Sequence, residues 1–134
     1  KEFLRGSQNA DGGWGYFPRK RSWLEPTYYA ALALGGPEEA RAWECVRHWR
    51  GSGKGWRPSA AVAISNWTTA LAVASACARG EAGEPFASGV EWLLGTRGEE
   101  NAFRNRLAAR TGLVDPGRNV ELTGWPWLRG STSW

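Results

Sequence analysis

The sequence has no methionine, one histidine, two cysteines and only two aspartates, Asp11 and Asp115, neither beside another acidic residue. Each shortage excludes something. Cys45 and Cys77 form no Cys-x-x-Cys pair and lack the density of a disulfide scaffold, so buried free thiols in a reducing, cytoplasmic compartment are expected. No run of 18 or more apolar residues occurs, which excludes a membrane-spanning helix. Basic residues are in excess, with a net charge of +4, but Arg19-Lys20-Arg21 is the one basic run. A nucleic-acid partner would call for a long basic stripe or a recognisable module, so that run reads as a solvated loop. His48 follows Cys45 by three residues, yet no acidic third ligand is evident and no metal site is expected.

What the chain does hold is tryptophan, ten residues against three Tyr and four Phe, together with 18 glycines in the same loops. The tryptophans recur with a period. Glu2-Phe3-Leu4-Arg5 aligns with Glu44-Cys45-Val46-Arg47 at an offset of 42, and with Glu91-Trp92-Leu93-Leu94 at a further 47. Six residues separate Gln8 from Trp14 and Arg50 from Trp56; in the third copy Trp125 follows Arg97 only after an insertion over about 98–119. Beyond the loop, Trp14 leads to Trp23, Trp56 to Trp67 and Trp125 to Trp134. Self-similarity at such a period marks a repeat protein, here with units of about 1–36, 37–80 and 81–134 within a single domain.

Each unit pairs two kinds of helix. Segments 26–34 and 67–78 are apolar nearly all round, which predicts burial on every side. Pro26 suits a first helical position with Glu25 at the cap, and Gly35-Gly36 ends the segment. Segment 38–49 instead carries Ala42, Trp43, Val46 and Trp49 on one stripe, and segment 85–94 groups Phe86, Val90, Leu93 and Leu94. One-sided helices outside and apolar helices inside make a two-layer, all-α arrangement. Such units bury their inner helices only by stacking on neighbours. The helix-like opening at Lys1 and the absence of Met there suggest a piece of a longer protein. Trp134 falls where a third inner helix would begin, so an exposed apolar edge is expected at that end.

The stretch from Phe3 to Trp14, with Gln8, Asp11, Gly12, Gly13 and the closing Trp, resembles the QW motif of the terpenoid cyclase and protein prenyltransferase superfamily, which includes squalene–hopene cyclases. The second and third copies keep the Gly-Trp but place Arg50 and Arg97 where the motif has Gln. The resemblance implies an α/α toroid, here a partial ring of about two and a half helix pairs. It also implies that Gln8 tethers a helix end while the loop tryptophans hold the repeats together. Gln8, Asp11, Gly12, Trp14, Trp23, Trp56, Trp67, Trp125 and Trp134 are therefore read as structural.

The family's chemistry needs an Asp-x-Asp-Asp acid, an Asp-rich cluster on Mg²⁺ or a Zn²⁺ held by Asp, Cys and His; none stands in this sequence. No catalytic residue, metal or cofactor is assigned, and any catalytic motif would lie outside this segment. Glu25, Thr27, Tyr28 and Tyr29, near the start of an inner helix, are the candidates to cap that helix or line a cavity. In the insertion, Phe103 and Leu107 with Arg104, Arg106 and Arg110 suggest a short amphipathic helix: a lid, a contact for an anionic membrane surface, or a plain surface elaboration. The leading expectation is a toroid segment from a protein that binds or transforms an isoprenoid in an apolar cavity. The alternatives are a non-catalytic repeat scaffold, and a module that binds carbohydrate or peptide through exposed aromatics.

Overall fold

A computed structural model describes residues 1–113, 119–121, 123–128 and 130–132. Asp115 and Trp134 lie outside the described residues. Among those described, the chain is all-α, with helices α1 (Glu2–Gly6), α2 (Leu24–Leu34), α3 (Gly36–His48), α4 (Thr68–Ala78), α5 (Phe86–Gly95) and α6 (Phe103–Arg110). Packing joins α2 to α3, α4 to α5, α2 to α4 and α1 to α2. The two apolar helices thus lie together, each with its one-sided partner.

Local chemistry sets the boundaries. Gly35 and Gly36 take φ of +68° and +69°, which ends α2 and starts α3 without a connecting loop. Pro37, whose missing N–H costs nothing in a first turn, follows at once. Helix α2 begins earlier than its proline suggests: Trp23 is the N-cap, and Pro26 is the third residue. Glu25 is therefore not the cap. Its carboxylate turns outward and accepts the Tyr16 hydroxyl at 2.5 Å.

Helix α3 buries the Ala42, Trp43, Cys45 and Val46 side, followed by buried Trp49. In α5 the inward side differs from the expected one. Phe86, Ser88 and Gly89 are buried, while Val90 and Leu94 face solvent. The reason is Trp56, whose ring stacks on Phe86 (5.3 Å between centroids, 5° between planes) and lies where a Cβ on Gly89 would be 2.7 Å away. A glycine is needed there for the indole to reach the helix backbone.

Two further corrections concern burial. Cys45 is buried but Cys77 is exposed. The apolar helices are also not covered all round, since Leu32 and Ala33 of α2 and Ala70, Ala74, Cys77 and Ala78 of α4 are exposed. Helix α2 packs against α1, α3 and α4, and α4 against α2 and α5; these neighbours cover only part of each circumference. Helix α6 spans part of the insertion, with Phe103 and Leu107 exposed, and is tied back by Arg104 to Glu99 at 3.0 Å and by Asn105 to the Glu99 carbonyl.

Candidate functional site

The loop after each one-sided helix is closed by the same bonds. The Trp14 indole N–H donates to the Leu4 carbonyl at 2.8 Å, that of Trp56 to Val46 at 3.0 Å, and that of Trp125 to Leu93 at 3.1 Å. The backbone hairpin beneath recurs too: Asn9 N–H to Gly13 at 2.9 Å, Gly51 to Gly55 at 2.8 Å, Gly98 to Gly124 at 2.9 Å. Each carbonyl belongs to the last turn of a helix, where the i+4 donor is missing and the N–H three residues on (Ser7, Trp49, Thr96) is the other partner. The third copy makes both bonds even though 22 additional residues separate their ends, since 32 positions divide Leu93 from Trp125 and 10 divide Leu4 from Trp14.

Thr27 and Thr69 complete the loop in the first two copies. The Thr27 hydroxyl accepts the Trp14 backbone N–H at 2.9 Å and faces the Trp14 carbonyl at 3.3 Å. Thr69 does the same for Trp56, at 2.9 and 3.4 Å. Both threonines are 0% exposed. Thr27, a cavity-lining candidate by sequence, thus serves the loop: its hydroxyl satisfies a main-chain amide that is shut away from water.

Gln8 and Arg50 occupy equivalent places and perform a similar act with different groups. The Gln8 amide donates to the Gly12 carbonyl at 2.8 Å and to the Glu38 carbonyl, in the first turn of α3, at 3.0 Å. Arg50 reaches Glu84 at 3.3 Å and the Ser88 hydroxyl, at the start of α5, and lies 6.0 Å over the Trp56 ring. Asp11 accepts the Gly13 N–H at 3.0 Å and the Ser22 hydroxyl at 2.7 Å. Gly12 takes φ +89°, and a Cβ there would lie 2.5 Å from the Arg41 carbonyl oxygen. Magnitudes rank these contributions. Burying one indole is worth roughly 4–6 kcal/mol at ~25 cal/mol per Å², against about 1 kcal/mol net for each hydrogen bond. Burial therefore supplies the stability at Trp14 and Trp56, and the bonds fix the register; Trp125, 70% exposed, has the bonds with little of the burial.

The electrostatics are those of a structural loop. Burial, then the neighbouring Asp11 carboxylate, pushes the Cys45 thiol up to about 12. Partial burial and the Glu25 carboxylate raise the Tyr16 phenol to about 12. Cys45 is buried while His48 is exposed, with its Nδ1 2.6 Å from the Glu44 carbonyl, so the two do not present a common surface. No group of three or more His, Cys, Asp or Glu is placed to hold a metal among the described residues.

The remaining candidates divide between two surfaces. Tyr28 sits at 42-residue register with Ala70, and Leu32 with Ala74; among the described residues Leu32, Ala70 and Ala74 are exposed and Tyr28 is half-buried. This lane, continued by Cys77 and Ala78, has no charged group. Tyr29, packed edge-on against Tyr28 at 5.0 Å, instead lines a cleft of about 350 Å³ with Phe3, Leu4, Trp14 and Ala30. Trp23 packs against Tyr16 at 5.9 Å, and Trp67 against Trp127 at 5.4 Å. Sequence reading missed Thr69 and the role of Thr27. The available signal was a threonine 13 residues after the loop tryptophan in both copies.

No helix among the described residues is long and apolar enough to cross a membrane. No protein-family model, curated protein or solved structure matches the chain.

Proposed function

We propose that this chain is part of an α/α toroid of the terpenoid cyclase and prenyltransferase kind, and that it contributes one wall of an apolar cavity that takes an isoprenoid. The observation that carries the reading is the uncharged lane of Tyr28 and Leu32 on α2 and Ala70, Ala74 and Cys77 on α4. A helix face left open to water normally carries charge, and a contiguous apolar one marks a binding surface. Small alanines on α4 and larger Tyr and Leu on α2 suit a flexible hydrocarbon chain, which brings no charge to be satisfied. Pairing of α2 with α4 and of each with its one-sided neighbour suits a ring with inner and outer helices. The bond set shared by three loops suits repeats of one design.

The isoprenoid reading is tested by titrating the chain with farnesol below its aggregation limit while following tyrosine and backbone NMR shifts. Saturable shifts at Tyr28, Leu32, Ala70 and Ala74, lost in Leu32→Glu and Ala74→Glu, are expected. Absence of saturable shifts there overturns it. A scaffold without chemistry is the second reading, favoured by one observation: Asp11, Glu25 and Thr27 all spend their polar atoms on bonds within the repeat. Peripheral membrane contact through α6 is the third partner to test, by co-sedimentation of the chain with anionic vesicles.

A further inference from the structure

Several equivalent positions of the first and second units differ in cover, although Trp14 and Ala30 are buried like Trp56 and Ala72. Phe3 is 70% exposed and its counterpart Cys45 5%; Tyr29 is 57% exposed and its counterpart Leu71 is packed on the core. Ala33 is exposed and Ser75 buried. The cover in the second unit is supplied by the first. Leu24, at the start of α2, is fully buried in one cluster with Cys45, Val46, Trp49, Trp56 and Ala72. Its backbone N–H donates to the Pro58 carbonyl at 2.8 Å.

A similar main-chain link, one position later in the register, recurs one unit further on, where the N–H of Trp67, the N-cap of α4, donates to the Trp127 carbonyl at 3.3 Å. Pro58 and Trp127 each stand two residues after a loop tryptophan, as Tyr16 does. The Tyr16 carbonyl accepts no hydrogen bond from the described residues. Beside it lie the counterparts of the Leu24 cluster, namely Phe3, Leu4, Ser7, Trp14 and Ala30, and these line the 350 Å³ cleft. Phe3 and Ser7 exchange large and small with Cys45 and Trp49, so the aromatic bulk moves while the opening persists.

We propose that this cleft seats a further α/α unit joined on the N-terminal side of this chain. That unit inserts an aliphatic side chain from the first turn of its inner helix and donates a backbone N–H to the Tyr16 carbonyl. The occupant is specified by continuity: it is the chemistry with which the first unit already fills the second. The proposal does not depend on an isoprenoid, because Tyr29 and Ala30 line the cleft while Tyr28 and Leu32 do not.

A tandem protein tests it directly. Residues 1–42 are added ahead of Lys1 in the 42-residue register, leaving the full chain intact behind them. The expected result is a monomer whose thermal midpoint rises by about 4 °C or more, with slow exchange at the added Leu24 amide. Replacing that added residue, Leu24→Asp, is expected to remove most of the gain and the protection, while leaving the original units folded by circular dichroism. An unchanged midpoint, a gain that survives Leu24→Asp, or an added unit that protease removes as fast as an unfolded tail would each overturn the proposal.

Discussion

Replacing Thr69 by Val removes one hydroxyl from the interior and changes the side-chain shape very little. That hydroxyl is fully buried and is the partner of the Trp56 backbone N–H at 2.9 Å. With valine the amide stays shut away from water with nothing to donate to, a loss of about 1–3 kcal/mol. The methyl that replaces the hydroxyl returns up to ~0.8 kcal/mol of apolar burial. The net loss is therefore about 0.2–2 kcal/mol, and at a urea m-value near 2 kcal/mol per M the unfolding midpoint drops by roughly 0.1–1 M. Thr27→Val, at the same place one unit earlier, is expected to lose a similar amount, and the double variant the sum within ~0.5 kcal/mol. Thr111→Val, on the exposed end of α6, is the control and is expected to stay within ~0.5 kcal/mol of the parent. Equilibrium urea unfolding followed by tryptophan fluorescence and circular dichroism makes the measurement. A Thr69→Val midpoint no lower than that of the control would refute the assignment of this hydroxyl to the loop amide.

Other outcomes follow from the same geometry. Gly12→Ala combines a positive φ with a Cβ 2.5 Å from the Arg41 carbonyl oxygen, so a loss of at least about 2 kcal/mol is expected in the same urea assay. Gly89→Ala drives a methyl to 2.7 Å from the Trp56 ring; it is expected to lose about 1–3 kcal/mol and to shift the Trp56 emission. Cys77 is expected to react at once with a thiol reagent and Cys45 only on unfolding, since the first is exposed and the second buried. The Cys45 thiol is held at about 12 against an ordinary 9.0. The native state therefore keeps a proton that the unfolded chain releases, so this contribution is full below pH 9 and declines as pH climbs toward 12. A Cys45→Ala comparison of urea midpoints at pH 8 and pH 10 isolates it.

The helices were legible because apolar periodicity and glycine punctuation report directly on local structure. Trp14, Trp56 and Trp125 could be placed in register from spacing alone, insertion included. What the sequence does not display is which face of an apolar helix meets a neighbour. Helix α2 has no polar side, so nothing in its residues separates Thr27, which is buried against the loop, from Leu32, which faces solvent. In α5 the hydrophobic stripe pointed to Val90 and Leu94, whereas Gly89 was turned inward by an indole from a distant loop. Glu25 shows a similar limit. Its helix-start position suggests a cap, and a tyrosine nine residues earlier claims the carboxylate instead.

Loop tryptophans in equivalent positions clamp each helix end through their indole N–H. Hydrogen exchange at the indole protons, resolved by NMR, tests it most directly. Trp14 and Trp56 are buried and bonded to helix carbonyls at 2.8 and 3.0 Å. They are predicted to exchange orders of magnitude more slowly than the exposed Trp127. Trp125, bonded but 70% exposed, is predicted to fall between them. Indole protons of Trp14 and Trp56 that exchange as fast as that of Trp127 would contradict the account.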